Sequence, residues 1–267
     1  MARVKSIISL RGRIGDTVFL RRNGQTIAGL PGGASKDKIL TAPEFANTRK
    51  NMVEFGGCAQ FAKWMYIFLA MSIFNTVRSK ISMRKMTATL RNIQQAYANP
   101  AELLGQRTVM LHELLKGFQF NIKNVFSSIF SAPYTQVVSA GYDSVTVSIP
   151  TINPSTDLVV PAGATHFKLF VALAHVSDSK YNTITGKFDA PTSKGYTVKE
   201  SAFLSATSET AVQTDIIALL QGAPVMEVGD KLIETIGISF YKEIGGEYNK
   251  MFELDAMEVM EVLEKTV

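Results

Sequence analysis

The side chains with the greatest chemical reach are few. Three histidines, His112, His166 and His175, are spread over a chain of 267 residues. None stands in the His-Glu-x-x-His, Cys-x-x-Cys, Gly-x-Ser-x-Gly or phosphate-loop spacing that brings metal ligands, or a nucleophile and its base, to one point. His166 and His175 share the run "THFKLFVALAHV", and two imidazoles on one strand can grip one metal ion only from the same face. Their separation of nine is odd, so strand alternation sends them to opposite faces and no metal pair is expected. "LPGGASKDK" has the glycines of a phosphate cradle, but it lacks a Gly-Lys-Ser/Thr ending and a buried preceding strand. It reads as a loop joining two elements. Asp255, Glu258 and Glu261 pair carboxylates in a C-terminal acidic run, and a solvated strand or helix face accounts for them without acid-base chemistry. The lone Cys58 precludes an internal disulfide framework. No catalytic residue, no metal site and no cofactor is therefore assigned, and the chain reads as non-enzymatic.

What remains is binding chemistry, carried by arginine. Residues 1 to 134 hold 19 Lys and Arg against 6 Asp and Glu, net +13, and residues 135 to 267 hold 9 against 17, net −8. All ten arginines lie at or before Arg107. This asymmetry points to a nucleic-acid face on the first half or to attraction between the halves, within one molecule or between neighbours.

The densest arginine cluster surrounds "RIGDTVFLRRNGQTIAGLPGG", residues 13 to 33. Asn23-Gly24 between two apolar runs predicts a type I′ β-hairpin, because both central residues need positive φ. A two-residue loop sets the register: Arg22 faces Gln25, Arg21 faces Thr26, Leu20 faces Ile27 and Phe19 faces Ala28. Val18, Leu20 and Ile27 then share one face, and Phe19, Arg21 and Thr26 the other. A lone hairpin is marginal in water, so this one must lean on helices, a larger sheet or another subunit.

Helices are expected from residue 41 to about 130. Thr41-Ala-Pro-Glu44 has the pattern of a capping box opening a helix through Phe55, which Gly56-Gly57 should kink or break. "CAQFAKWMYIFLAMSIFNTVR" is helical in length, but its charge-free run from Trp64 to Val77 is 14 residues. A bilayer core needs roughly 20, so the segment reads as a helix buried in a core or subunit interface, with no membrane span. Ser82 to Ala98 and Pro100 to Lys116 read as two more helices, and "FNIKNVFSSIF" as a further short one.

Near Ala132-Pro133 alternation replaces the helical period. "DSVTVSI", "THFKLFVALAHV" and "YTVKESAFLS" read as strands, and "DKLIETIGISFYKEIGGEYNKMFELDAMEVMEV" as a hairpin turning at Gly245-Gly246. "ETAVQTDIIALLQGAP" reads as a helix between strands. The fold expected is α+β: a basic arm and β-hairpin over residues 1–40, a helical domain over 41–133, and an antiparallel immunoglobulin-like β-sandwich over 134–267. Met1 to Leu10 has too short an apolar run for a signal peptide, so a cytoplasmic or virion-associated protein is expected.

Gly12-Arg-Ile-Gly-Asp-Thr-Val-Phe19, Arg22-Asn-Gly24, and then Thr41, Pro43, Phe45, Thr48-Arg49, Asn51 and Glu54-Phe-Gly56 resemble the opening of uncharacterised small proteins common in Bacteroidota genomes. The resemblance covers about the first quarter of the chain. It implies a bacterial or bacteriophage origin, and carries no activity. Two function classes follow. In the first, the chain is a structural or assembly subunit of a phage-like particle, filament or injection machine. Arg11, Arg13, Val18, Phe19, Leu20, Arg21, Arg22, Asn23 and Ile27 then bind a neighbouring copy, with carboxylates near Glu243, Glu247, Glu253 and Asp255 as acceptors. In the second, the same arginines bind nucleic-acid phosphates. Whether the hairpin packs on a neighbour or on its own helices stays open at the level of sequence.

Overall fold

The computed structural model describes residues 2–4, 10–30, 32–69, 80–208, 212–222, 224–251 and 254–266. The chain divides into two compact units, Met1–Arg49 and Lys50–Val267.

The first unit is a four-stranded antiparallel sheet followed by a short helix. Its strands are β1 (Ala2–Val4), β2 (Gly12–Ile14), β3 (Thr17–Arg22) and β4 (Gln25–Gly29), in the order β1-β4-β3-β2. The hairpin register is the one turn chemistry dictates, with Arg22 opposite Gln25, Leu20 opposite Ile27 and Phe19 opposite Ala28. Asn23 and Gly24 take φ of 50° and 75°, the left-handed pair of a type I′ turn. Helix α1 (Lys36–Thr41) lies ahead of the helix that the capping box implies and ends at its expected cap. Ser35 is its cap, accepting the Lys38 N–H at 3.2 Å, and Asp37 in the first turn complements the helix dipole. Thr41 therefore ends a helix instead of opening one, its hydroxyl donating to the Asp37 carbonyl at 2.7 Å. Pro43 begins a single 3-10 turn, Pro43–Phe45. Arg49 gathers the carbonyls of Ile39 and Ala42, each at 2.8 Å, satisfying acceptors that the end of α1 leaves free.

Helix α2 (Ala46–Phe68) runs straight through Gly56-Gly57. The break expected there is absent for a packing reason: a Cβ on Gly57 would stand 2.5 Å from the Phe188 ring, so glycine serves close approach. Cys58, Phe61, Ala62, Met65 and Phe68 line its buried side. The expected continuation to Arg78 lies largely outside the described residues. Helix α3 (Lys80–Tyr97) matches the expected third helical run and buries Met86, Leu90 and Ile93. No described helix is long and apolar enough to cross a membrane.

The helix expected over Pro100–Lys116 does not form; a single 3-10 turn, Glu113–Leu115, is its only helical part. The chain is used as sheet edging instead. Val109 bridges to Ser179, and the segment around Phe118 exchanges backbone bonds with Val259 at 2.8–3.0 Å. Gly105 and Gly117 at φ of 96° and 78° permit the bends. The short helix read in "FNIKNVFSSIF" is α4 (Phe126–Ile129).

Eleven further strands follow: β5 (Thr135–Val138), β6 (Ser144–Ile152), β7 (His166–His175), β8 (Tyr181–Asn182), β9 (Lys187–Phe188), β10 (Tyr196–Glu200), β11 (Leu204–Ser205), β12 (Val212–Leu219), β13 (Lys231–Ile244), β14 (Glu247–Lys250) and β15 (Ala256–Glu264). A one-turn helix, α5 (Pro154–Asp157), sits between β6 and β7. The large sheet runs β10-β7-β13-β14, with β11 beside β7 and β15 beside β13; a second sheet runs β12-β6-β5. All pairings are antiparallel. The segment 212–219, expected as a helix, is a strand that turns Ile216 and Ala218 inward and Ile217 and Leu219 outward. Four apolar residues in succession conceal that period of two.

Both faces of the large sheet are covered. Phe167, Leu169, Val171 and Leu173 of β7 meet Val145, Val147 and Ile149 of the second sheet in one core. Phe170, Ala172 and Ala174 meet Phe61, Met65, Met86 and Leu90 of the helices in another. The fold is α+β with a large antiparallel β region, but the helices form a third layer on the sheet. Residues 50–133 and 134–267 consequently share cores, and the compact units part at Arg49/Lys50 rather than at residue 133.

Candidate functional site

The hairpin residues singled out by sequence lie together on the first unit. Arg13 stands opposite Val18 and Leu20 opposite Ile27, so an aliphatic strip with Arg13 and Arg22 at its margins occupies one face. Phe19 and Arg21 occupy the other. Arg11, Arg13, Leu20, Arg21, Arg22 and Asn23 are exposed, while Val18, Phe19 and Ile27 are half-buried. Leu20 is 55% and Ile14 62% exposed, and no described residue between 10 and 49 is buried. Among the described residues Arg11, Arg21 and Arg22 make no ion pair; Arg13 reaches Asp16 at 3.4 Å across its own turn. Residues 1–49 carry nine Lys and Arg against three Asp and Glu, net +6, and residues 50–267 carry 19 against 20, net −1.

Several charged or reactive side chains outside the hairpin make contacts within the fold. Arg91 and Arg107 converge on the fully buried Glu54, at 2.5 and 2.7 Å. Burial alone would raise the Glu54 carboxyl, but hydrogen bonds from Arg107 and from the Gly105 N–H, with the Arg91 charge, hold it down at about 2. These arginines tie α2 and α3 to the segment after them. Cys58 is buried between the helices with its thiol pushed up to about 12 by burial, which removes it as a nucleophile. Asp255, expected as an acceptor for a neighbour's arginine, is completely buried and bonds Lys250 at 2.9 Å. Glu243 and Glu247 are exposed on the β13–β14 hairpin, and Glu253 lies outside the described residues.

His175 and His166 make contacts within the fold. His175 accepts the Lys194 N–H through Nδ1 at 2.9 Å and faces Asp230 through Nε2 at 3.2 Å, and burial lowers its pKa against the pull of that carboxylate. His166, on the opposite face of β7, stands 3.7 Å from Glu243. No group of three or more metal-ligating side chains occurs among the described residues. Gly33 at φ 90° and the Ser35 cap place "LPGGASKDK" in the loop before the six-residue α1. Glu258 and Glu261 are engaged by the side-chain amides of Gln119 and Gln136.

One group that sequence reading passes over is Glu234. It is fully buried on β13 directly opposite Glu261, neither carboxylate oxygen has a hydrogen-bond partner among the described residues, and burial with the Glu261 charge raises it to about 7. The signal was a lone acid at an inward position of "KLIETIGISF". Comparison with known proteins adds no relative: no family model matches the chain, and neither a curated protein nor a solved structure matches it.

Proposed function

We propose that the chain is a non-enzymatic structural or assembly subunit that self-associates through its basic N-terminal sheet, as a component of a phage-like particle, filament or injection machine. One observation carries this reading: a four-stranded sheet with apolar residues on both faces has no buried residue among those described from 10 to 49. Sheets are stabilised by burying a face, so this one acquires its core by docking. Arg11, Arg13, Arg21 and Arg22 supply orientation and Val18, Phe19, Leu20 and Ile27 supply burial. The acceptors are the exposed Glu243 and Glu247 of another copy. The contact is heterologous, giving rings if its rotation closes and filaments if it does not. The facing sheets of residues 134–267 are read as an immunoglobulin-like scaffold to which the helices add a layer, in a cytoplasmic or virion-associated protein.

Nucleic-acid binding is the second reading, favoured by the +6 charge of residues 1–49 and by three arginines without an ion pair among the described residues. Light scattering after size exclusion, on nuclease-treated and untreated protein, separates the two. Arg21→Glu with Arg22→Glu should weaken self-association by about tenfold or more while thermal unfolding of the remaining chain is retained. An unchanged mass in that variant overturns the assembly mechanism; nucleic acid bound at low salt and released at high salt moves the arginines to phosphate.

A further inference from the structure

A cavity of about 420 Å³ opens on the second unit, lined by Tyr97, Met110, Leu111, His112, Glu113, Lys231, Val262 and Glu264. It joins the end of α3, the segment before the Glu113 turn, and the paired ends of β13 and β15. Its volume is in the range that encloses a small organic molecule. Met110, Leu111 and Val262 give it an apolar part, and Tyr97 with His112 an aromatic wall.

The wall is preformed. The two rings lie 4.0 Å apart between centroids at 34°. His112 is fixed because Nδ1 accepts the Leu114 N–H at 3.2 Å, which places the proton of a neutral imidazole on Nε2. Tyr97 is 48% exposed, so ring surface remains open to a further group.

The charge around the cavity is unbalanced. Lys231 lies opposite Glu264 in the β13–β15 register and turns its ammonium to Asp178, at 3.3 Å. Asp178 is raised by burial and further by Glu264, with Lys231 and Lys180 acting against this. Glu113 and Glu264 make no ion pair among the described residues. Two carboxylates, Glu113 and Glu264, thus line the cavity beside an aromatic surface with no ion pair among the described residues, while the one ammonium in the lining, Lys231, is paired with Asp178. Aromatic faces and unpaired carboxylates attract the same kind of ligand, a cation with an apolar stem.

We propose that this cavity binds a guanidinium or alkylammonium group, with Tyr97 against the cation, Glu113 and Glu264 neutralising it, and Met110, Leu111 and Val262 holding its stem. The inference does not depend on the assembly role. The cation has two possible sources, a free small molecule or an arginine of another copy.

The test is calorimetric or NMR titration of the full chain with agmatine, a guanidinium on a butylamine stem, against n-butylurea as a neutral compound of similar shape. Saturable agmatine binding is expected, weakened about threefold to tenfold by Tyr97→Leu and at least tenfold by Glu113→Gln with Glu264→Gln. Both carboxylates and the ring are at the surface, so thermal unfolding of the variants should match the parent chain. Absence of saturable binding, equal binding of n-butylurea, or variants that bind like the parent would each overturn the assignment. Light scattering at saturating agmatine identifies the source. A fall in mass assigns the site to an arginine of another copy, an unchanged mass to a free cation, and both leave the site in place. Should Arg21→Glu with Arg22→Glu leave the mass unchanged while agmatine still binds, the assembly reading fails and the cation site stands.

Discussion

Two buried glutamates define the ionic character of the second unit, with opposite signs. Glu54 is held at about 2 against an ordinary 4.5, so the folded chain binds fewer protons there than the unfolded chain. Its contribution, about 3 kcal/mol, is complete above about pH 4.5 and is lost as pH falls towards 2. Glu234 is raised to about 7, so the folded chain binds more protons there, and its contribution is complete below about pH 4.5 and is lost as pH rises through 7. The expected result is a stability maximum near pH 5, with an alkaline limb that Glu234→Gln removes. Gln keeps the shape of the protonated acid, so the variant should match the parent at pH 5 and exceed it by about 2–3 kcal/mol at pH 8. Urea unfolding at the two pH values checks this, and parallel pH profiles for variant and parent would show that Glu234 is ionised without penalty. Sequence alone reveals that Glu54 and Glu234 are acids within apolar runs. Only the fold supplies two arginines to one and a second carboxylate to the other.

At the scale of elements, what was legible was what is local. The Asn23-Gly24 hairpin, the strand 166–175 and the turn at Gly245-Gly246 each follow from turn chemistry or a simple alternation, and each is present in the register or place expected. Elements decided by distant partners were not legible. Gly56-Gly57 looks like a helix break because glycine lowers helix propensity, yet the Phe188 ring, far along the chain, determines the identity of Gly57. The segment 212–219 has apolar residues on both faces, so its period was hidden. The two glycines offer a matched test. A Cβ on Gly56 meets nothing within 4 Å, so Gly56→Ala should stabilise by about 0.5–1 kcal/mol through helix propensity alone. Gly57→Ala has the same gain, but it must displace a buried ring packed edge-on against Tyr181 at 5.6 Å. Overpacking of this kind costs about 1–3 kcal/mol, which outweighs the gain, so the variant should be less stable than the parent. Equal stabilisation by both substitutions in urea unfolding would mean that Phe188 yields freely.

For the whole molecule, the change of texture near Pro133 marks a change of secondary structure and not of core. The helices before it and the sheet after it bury Phe61 and Phe170 in one cluster, and a sequence cannot display that sharing. The division that does occur, at Arg49/Lys50, separates a unit with two continuous cores from 49 residues among which none of those described from 10 onward is buried. A segment that small rarely stabilises itself without disulfides, metal or association. Its strands have the correct turns, but local turn preference offsets only part of the conformational entropy lost on ordering. Order in β3 and β4 should therefore depend on assembly, whereas order in β7 and β13 should not. Hydrogen exchange on the intact chain, at one concentration where light scattering gives a monomer and another where it gives the assembly, reads this directly. Amides of residues 17–29 should exchange rapidly in the monomer and at least about tenfold more slowly in the assembly, with residues 166–175 and 231–240 protected in both. Equal protection of residues 17–29 in monomer and assembly would show that the sheet holds itself together, and would remove the physical reason for giving it a partner.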